Sequence, residues 1–451
     1  MSDVLKQALK LVKPTQKEID FIDGVANKVI VSIKESSSKF NEVVDIIFGG
    51  SYAKFTWLKN DVDIDIFVKV RYGTDEKEFE KIGRDLGFHA FKKYKPYLRY
   101  SEHPYVEAFV DKIRINVVPC YDVERGNWKS AADRSPFHTE FIKESFDEEK
   151  RWETRLLKKF MKTIGVYGAE IATNGFSGYV CEVLILKYGT CIGALRAAAE
   201  FKEKQVISLE SSNDDIAKLF NSALIIIDPI DNRRNLGTAI SDESVGRLIL
   251  AARRFIIKPD IKFFKSVSGT KDHRFTDNVI LIKFNYNKRS PDIIWGQLKS
   301  SATAIVKQLS IYGFRVIRYS TSTDENGNAV FVFMLESILL QQMIIRQGPK
   351  VFDSNDSDRF LEKNIKKSNM IWIGDDTRLF AMLNNKFVDA IIFLNFLLSN
   401  NISTSGISAG LINDIRKGYQ IYSGNKLKSL KEVLAREVIG EVVTTDQFAF
   451  G

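Results

Sequence analysis

Two acidic residues lie close behind a glycine-rich turn in the segment FGGSYAKFTWLKNDVDIDIFV, residues 48–68. Asp63 and Asp65 are separated by one residue in a stretch of alternating side chains, which predicts a strand with both carboxylates on one face. Two Mg²⁺ ions about 3.5–4 Å apart require such a shared pair of hard oxygen ligands. The pair therefore predicts a Mg²⁺ site.

The turn before this acidic pair consists of Gly49, Gly50 and Ser51. Glycine permits a tight backbone turn, so Ser51 and the neighbouring amides can approach a phosphate group. An Asp-x-Asp pair alone is typical of a solvated strand edge, and a Gly-Gly-Ser segment alone is typical of an ordinary turn. Their succession across a strand, a turn and a second strand predicts instead a site that binds metal and phosphate together.

The elements around this segment predict an α+β unit with a mixed sheet. Thr15 and Glu18 have the spacing of a capping box, and the apolar residues after them recur at helical intervals. A further helix is predicted over residues 76–94. The predicted strands are Val43–Phe48, Val62–Val70, Tyr97–Glu102, Tyr105–Val110 and Lys112–Val118.

The apolar periodicity changes further along the chain. From Phe141 to Arg254 the spacing is helical. A strand over Thr276–Tyr286, a helix over Asp292–Ser310 and a hairpin through Asn326-Gly327 follow. This β-α-β-β order predicts a small RNA-recognition-like α/β layer. The residues from about 352 onward predict a second α/β piece with basic helices.

The composition is that of a globular protein with a basic surplus. The 451 residues contain 66 Lys and Arg against 57 Asp and Glu, a formal charge of +9, which favours a polyanionic partner. The 3 cysteines have no metal-binding spacing, and the charged N-terminal segment lacks the apolar core of a signal peptide. The longest apolar run near the end, Phe387–Leu398, is interrupted by polar residues and predicts a buried helix. A cytoplasmic protein without a membrane partner is expected.

Segment 48–68 resembles the signature of the nucleotidyltransferase superfamily of DNA polymerase beta, a Gly-Ser turn followed by paired acidic residues. In detail it is similar to archaeal, class I, CCA-adding enzymes. The resemblance covers most of residues 1–365. Further segments follow in that family's order: YSEHPYVEAFV, NVVPCYDV, ADRSPFHTEFI, LLKKFMKTIGVYGAE, GFSGYVCEVLILKYG, DPIDNRRNLGTAIS, IIWGQLKSSA, LESILLQQMIIRQGPKVFD and DRFLEKN.

The resemblance implies template-independent addition of C, C and A to the 3′ end of tRNA from CTP and ATP, with Mg²⁺ as cofactor. It implies a catalytic polymerase-beta-like head over residues 1–142 and a helical neck that recognises the nucleotide base over 143–258. An RNA-recognition-like α/β body over 259–362 and a tRNA-binding tail over 363–451 follow. The implied RNA contacts are the acceptor stem and the 3′ end, and a monomer or homodimer is expected.

The same resemblance assigns nucleotide-binding roles outside the acidic pair. Arg234 aligns with the arginine that faces the incoming base, and its guanidinium suits CTP and ATP, which each present an acceptor beside an exocyclic amino group. Structural alternatives stay open for an exposed Lys158, a packed Tyr167 and a His138 without a nucleotide contact. The residues implied to bind nucleotide are Gly50, Ser51, Lys54, Ser135, His138, Lys158, Tyr167 and Arg234.

One position departs from the family pattern. In the segment INVVPCY, Asn116 stands where the family has its third catalytic carboxylate. An amide carries no negative charge and cannot act as a base. The catalytic and metal-binding set Asp63, Asp65 and Asn116 is therefore expected to support normal substrate binding but slow transfer. Asp111 and Asp122 are nearby carboxylates that do not align with position 116.

Two other functions stay open from the sequence. The first is a tRNA- and nucleotide-binding form of the same family, impaired by Asn116. The second is a poly(A) polymerase-like terminal nucleotidyltransferase, which shares the head domain but not this C-terminal half. Supplying CTP alone, ATP alone and both together to a tRNA without its tail separates these functions.

Overall fold

The computed structural model of the chain describes residues 1–100, 103–210, 219–265 and 276–444. The chain divides into two compact units, whose main boundary follows residue 269. The predicted end of one strand, residues 101 and 102, lies outside the described part of the chain.

A five-stranded mixed sheet lies at the start of the first unit, as the alternation predicts. Its order is β1-β2-β5-β4-β3. β2 and β5 run parallel, and the other neighbours run antiparallel. The strands are β1 (Val43–Gly49), β2 (Asp63–Arg71), β3 (Tyr97–Tyr100), β4 (Pro104–Val110) and β5 (Ile113–Asp122).

One face of this sheet packs on an apolar core, and the other carries the acidic pair. Ile64, Ile66, Ile115 and Val117 are fully buried, in a core that α2 and α4 complete. Because side chains alternate along a strand, the residues between them point to the opposite face. The helices of this region are α1 (Ser2–Val12), α2 (Gln16–Ser37), α3 (Gly50–Lys54) and α4 (Glu76–Ala90).

The start of α2 confirms half of the predicted capping box. The Thr15 hydroxyl accepts a hydrogen bond from the Glu18 amide at 3.2 Å, as an N-cap residue does. The prediction of the reciprocal bond, from the Thr15 amide to the Glu18 carboxylate, is wrong. The Glu18 carboxylate accepts a hydrogen bond from the Asn60 amide at 2.7 Å instead. Asn60 has a left-handed φ of 59°, and its N–H finds its partner in this distant side chain.

Helices dominate the rest of the first unit. Between them β6 (Gln205–Ile207) and β7 (Leu224–Ile226) pair in parallel, which the helical spacing did not predict. Strands this short carry too few residues for an alternation to be recognised. The rings of Phe160, Phe255 and Phe263 pack together in the helical core. The helices are α5 (Arg134–Ser145), α6 (Glu148–Thr163), α7 (Gly178–Tyr188), α8 (Cys191–Ala199) and α9 (Asp242–Ile257).

The second unit contains a four-stranded and a three-stranded sheet, ordered β14-β8-β10-β9 and β11-β13-β12. The strands are β8 (Val279–Asn285), β9 (Val316–Thr323), β10 (Asn328–Leu335), β11 (Met343–Lys350), β12 (Ser368–Ile373), β13 (Arg378–Asn384) and β14 (Tyr419–Ser423). The helices are α10 (Pro291–Ile311), α11 (Ser354–Asn364), α12 (Ala390–Asn400), α13 (Ala409–Lys417), α14 (Gly424–Lys428) and α15 (Val433–Val443).

Two predicted features of this unit are confirmed. β9 and β10 form the hairpin, with Gly327 at a φ of 125° in its turn. The apolar run near residue 390 forms α12, which buries Phe393 and Leu394. β14 lies within the predicted tail and pairs with β8 in the predicted body, so this sheet draws strands from both sides of residue 362.

Among the helices of the described ranges, no single one is long and apolar enough to cross a membrane. One bent pair, Gly178–Tyr188 with Cys191–Ala199, reaches that length and composition only when its two helices are taken together.

Candidate active site

The Gly-Gly-Ser turn lies directly against the acidic pair. β1 pairs with β2 so that Gly49 is opposite Asp65, and the chain then enters the short helix α3, whose first turn contains Ser51. Gly50 has a left-handed φ of 61°. A Cβ atom at Gly50 would lie 1.8 Å from Asp65 Oδ2, so no other residue fits between turn and carboxylate.

Residues of β5 hold both carboxylates of the pair. In the parallel register Asp63 is opposite Arg114, and Asp65 is opposite Asn116. The Arg114 guanidinium donates to both oxygens of Asp63, with Nε 2.9 Å from Oδ1. Asn116 Nδ2 donates to Asp65 Oδ1 at 2.8 Å. The three predicted catalytic residues therefore share one sheet face, and Arg114 is a partner that sequence reasoning missed.

Burial and hydrogen bonds shift the pKa values of Asp65 and of Arg114, the partner of Asp63. Burial raises the pKa of Asp65, and the hydrogen bond from Asn116 opposes the rise. The bond to Asp63 raises the pKa of Arg114, against the opposing effect of burial. Arg114 therefore stays cationic and balances one of the two carboxylate charges.

The oxygens at this face fit a divalent cation. Asn116 Oδ1 is buried and has no hydrogen-bond partner among the residues that the structure describes. A buried oxygen without a donor costs free energy unless a cation or another donor satisfies it. Carboxylate and amide oxygens are ligands that Mg²⁺, Ca²⁺ and Mn²⁺ accept. Asp63, Asp65 and Asn116 therefore make a chemically suitable set.

Both of the predicted nucleotide-binding lysines take part in a buried ion-pair cluster. Lys54 Nζ lies 2.5 Å from Glu182 Oε2, and Lys158 Nζ lies 3.0 Å from Glu182 Oε1. The Thr56 hydroxyl also donates to Glu182, at 2.6 Å. The Lys158 side chain is 1% exposed, so the exposed-helix alternative for this residue is wrong. Its ammonium bonds to Glu182 and Thr56 in the interior.

The charges of this cluster determine its protonation. Burial disfavours the ionised form of Glu182, but the charges of Lys158 and Lys54 outweigh it and lower the pKa to about 2. Burial lowers the pKa of Lys158, and the Glu182 charge opposes that change. Sequence reasoning missed Glu182, although a lone acidic residue in the apolar segment YVCEVLIL was a usable signal.

A second buried carboxylate, Asp228, connects His138 with Arg234. His138 Nε2 lies 2.8 Å from Asp228 Oδ2, and Arg234 Nη1 donates to the same oxygen at 3.4 Å. The imidazole stacks on Tyr179 with ring centroids 4.0 Å apart, and Lys54 Nζ lies 5.5 Å from that ring. Burial lowers the pKa of His138, and Asp228 opposes the shift. These contacts thus connect Lys54, which is predicted to bind the triphosphate, with Arg234, which is predicted to face the base.

The remaining predicted residues lie on elements around this chain of contacts. Ser135 is half-buried in the first turn of α5, the helix that also carries His138. Tyr167 is half-buried, and its hydroxyl would be 3.1 Å from a Cβ at Gly178, where Lys158 Nζ would be 3.3 Å away. Tyr167 and Lys158 therefore both lie against Gly178 at the start of α7.

Comparison with known proteins matches three successive parts of the chain to family models. A nucleotidyltransferase domain matches residues 30–147, the second domain of tRNA nucleotidyltransferase matches residues 152–265, and the C-terminal domain of CCA-adding enzyme matches residues 276–424. The CCA-adding enzyme of Pyrobaculum islandicum is 36% identical over 369 residues, 81% of this chain and 86% of the relative. That of Saccharolobus islandicus is 35% identical over 387 residues, 85% of this chain and 89% of the relative.

Among solved structures, the Cid1 poly(U) polymerase is similar with a TM-score of 0.46 and 12% identity, covering 58% of this chain and 98% of Cid1. The sheet, the turn and the paired carboxylates define a nucleotidyltransferase, a class of enzyme that uses a divalent metal ion. The extent of the matches defines it further. The chain belongs to the family of CCA-adding enzymes, which extend the 3′ end of tRNA by nucleotidyl transfer. The predicted family, fold class and enzymatic activity are confirmed.

Proposed function

We propose that this enzyme adds C, C and A from CTP and ATP to the 3′ end of tRNA, with Mg²⁺ held by Asp63, Asp65 and the amide oxygen of Asn116. The observation that carries the proposal is their common sheet face, with a buried Asn116 oxygen that lacks a partner within the described residues. The tRNA 3′-hydroxyl oxygen bonds to the α-phosphorus, the bond to pyrophosphate breaks, and the hydroxyl proton is released. When bound, Mg²⁺ neutralises phosphate charge and makes the hydroxyl easier to deprotonate.

The triphosphate is proposed to bind at the turn beside the carboxylates. Gly50 keeps space for it, since its missing Cβ lets the backbone approach the site, and Ser51 offers a hydroxyl and an amide. Ser135, His138 and Tyr167 are proposed as further contacts, each offering a hydrogen-bonding atom from a neighbouring element.

Lys54 and Lys158 are proposed to act on the triphosphate chiefly through their charge. Together with Glu182 they leave one positive charge in excess close to the turn that contains Ser51, and a cation in a low-dielectric surrounding attracts phosphate over several ångströms. Lys158 is too deeply buried for a direct phosphate contact in this arrangement.

Arg234 is proposed to select the incoming base. Its guanidinium offers only donors, and one nitrogen is held by the buried Asp228 while the side chain remains 41% exposed. A guanidinium fixed in this way presents a defined donor pattern to the base acceptors of C and A. UTP and GTP reverse the pattern of acceptor and amino group.

The second unit is proposed to make most of the contacts with tRNA. We retain the head at 1–142, the neck at 143–258, the body at 259–362 and the tail at 363–451 as functional divisions, with the protein in the cytoplasm as a monomer or homodimer. Because β14 of the tail completes the sheet that contains β8 of the body, these two divisions are expected to bind RNA as one surface. Recognition of the acceptor stem through backbone and shape allows one enzyme to serve every tRNA.

The metal assignment is tested by three alanine substitutions in one sequence motif. Asp63→Ala and Asp65→Ala are expected to abolish transfer to a tRNA without its CCA end, while tRNA affinity stays near that of the natural chain, because their carboxylates bind metal rather than RNA. Asp61→Ala is the matched control, since Asp61 bonds to Lys162 on the surface. Full incorporation by either of the first two variants at saturating Mg²⁺ would show that the metal is bound elsewhere.

Because Asn116 is neutral, one alternative function is also proposed: a form of the family that binds its substrates but transfers nucleotides slowly. Assays with CTP alone, ATP alone and both nucleotides distinguish it from the active enzyme. CC and then A are expected from the active enzyme, and bound substrates without extension from the impaired form. The poly(A) polymerase-like alternative has no supporting observation, since the C-terminal family match covers residues 276–424.

A further inference from the structure

A row of polar side chains crosses the sheet from the acidic pair. Asp65 on β2 is opposite Asn116 on β5, Asn116 is opposite Glu107 on β4, and Glu107 is opposite Tyr97 on β3. Residues opposite each other on neighbouring strands point to the same face. Glu107 therefore stands next to Asn116, on the side away from Asp65.

Glu107 is a buried carboxylate, with a side chain only 2% exposed. Its bonds come from β3: Arg99 Nε donates to Oε2 at 3.0 Å, and the Tyr97 hydroxyl donates to Oε1. β3 lies beyond β4 in the sheet order, so these partners hold the carboxylate from the side away from Asn116. The negative charge also contributes to the raised pKa of Arg114, after the bond to Asp63 and the opposing burial. Glu107 thus lies within electrostatic reach of the metal-binding face.

The two carboxylates that sequence reasoning considered lie elsewhere. Asp111 is in the turn after β4 and bonds to Lys28 at 3.0 Å, with about half of its side chain exposed (48%). Asp122 is at the far end of β5, opposite Arg71, and bonds to Lys69 at 3.2 Å. Neither belongs to the row that contains Asn116.

The order of the sheet places Glu107 one strand beyond Asn116, on the same face. Neighbouring strands lie about 4.8 Å apart, and a glutamate side chain is longer than an aspartate by one methylene. An aspartate at position 116 would have placed a third carboxylate between Asp65 and Glu107, and like charges directly opposite each other destabilise a sheet. The neutral Asn116 removes that repulsion and allows the negative charge to lie on Glu107, one strand further on.

We propose that Glu107 supplies the third negative charge of the metal site, in place of the carboxylate that position 116 lacks. This inference rests on the proposed metal site at Asp63 and Asp65. A cation held by Asp63 and Asp65 would then be stabilised by the charge of Glu107, while Asn116 orients Asp65 through its Nδ2 hydrogen bond. Nucleotide transfer is therefore faster than it would be if no carboxylate compensated for the neutral Asn116.

The test combines Glu107→Gln and Asn116→Asp, singly and together, in the full chain. Two quantities are measured: the single-turnover rate of C addition, and Mn²⁺ affinity by electron paramagnetic resonance with tRNA and a non-reactive CTP analogue. Glu107→Gln is expected to slow transfer by about 100-fold and to weaken Mn²⁺ binding by about tenfold. The gain from Asn116→Asp is expected to be at least about tenfold larger in the Glu107→Gln background than in the natural chain.

Two controls separate this inference from the proposed function. Asp122→Asn removes an ion-paired carboxylate on the same strand as Asn116 and is expected to leave both quantities unchanged. Asp65→Asn is expected to weaken Mn²⁺ binding even if Glu107 has no role, so retained binding there refutes the metal site itself. If Glu107→Gln fails to fold by circular dichroism, Glu107→Asp replaces it, with an expected loss in both quantities.

The proposal is overturned if the Glu107 variant keeps its rate and Mn²⁺ affinity within about threefold of the natural chain. It is also overturned if Asn116→Asp accelerates transfer equally in both backgrounds, because Glu107 would then serve only to hold Arg99 and Tyr97.

Discussion

Glu182→Gln removes the only acidic group that the described contacts place between Lys54 and Lys158. Glutamine keeps the size of the side chain and an acceptor oxygen for Thr56, so packing changes little. The two ammonium groups, however, then share a buried site without a counter-charge. We expect a large loss of folding stability, because an uncompensated buried charge is far costlier than an intact pair is favourable.

The magnitude follows from the pKa of Glu182, which the folded protein lowers from 4.5 to about 2. That difference corresponds to about 3 kcal/mol of stabilisation, and breaking buried pairs by removing one partner typically costs about 3–5 kcal/mol. Since the folded pKa is depressed, this stabilisation is fully present above about pH 4.5 and disappears as the pH falls toward 2. The glutamine variant should lose this part of the acid sensitivity.

Urea denaturation at pH 7 and at pH 3.5, followed by tryptophan fluorescence, measures the effect. Trp57 is buried and its neighbour Thr56 bonds to Glu182, so its emission reports on this region. Asp61→Asn is the matched control, because its pair with Lys162 is about half exposed and such pairs contribute about 0–1 kcal/mol. A loss below about 1 kcal/mol for Glu182→Gln at pH 7 would refute the argument for a tightly coupled cluster.

Four further predictions concern the base site, the turn, the RNA surface and the first long helix. Arg234→Ala should reduce the preference for CTP and ATP over UTP and GTP by about 1–3 kcal/mol in competition assays. Arg233→Ala, at an exposed position, should leave the preference unchanged. If Arg234→Ala incorporates the four nucleotides in the same proportions as the natural chain, Arg234 does not contact the base. Gly50→Ala should abolish nucleotide binding measured by calorimetry, since its Cβ meets Asp65, whereas Gly126→Ala, also at positive φ but with open space, should keep it. Binding of tRNA in filter assays should weaken steeply with salt but vary little with the sequence of the acceptor stem. Residues 1–258 alone should bind tRNA more weakly than the full chain, and equal affinity would place the tRNA contacts in the first unit. Thr15→Ala should lower the free energy of unfolding by about 1 kcal/mol, and an unchanged value would show that this cap is dispensable.

Local patterns were enough to predict much of the site. The alternation around Asp63 and Asp65 predicted a strand with both carboxylates on one face, because strand side chains repeat every second residue whatever packs around them. The two glycines before Ser51 predicted a turn at the acidic pair, since glycine permits a tight backbone turn, and Gly50 adopts a positive φ there. The hairpin through Gly327 was predicted for the same reason.

Partners that are distant in the chain could not be predicted in this way. Lys54 and Glu182 are 128 residues apart, and their contact depends on how α7 is placed relative to α3. The helical spacing around Lys158 predicted its helix but not its burial, which follows from its neighbours in space. The strand-to-strand register that places Glu107 beside Asn116 likewise follows from the order of the sheet.

The sequence by itself determined the family, the acidic pair, the turn beside it and the neutral amide at position 116, because these depend on residue identity and on spacing within single elements. The tertiary structure alone decided that Glu182 pairs with both buried lysines, that Asp228 joins His138 to Arg234, and that Glu107 lies one strand beyond Asn116. Electrostatic interactions depend on distance and burial in space, and a chain that folds back on itself sets both independently of sequence separation.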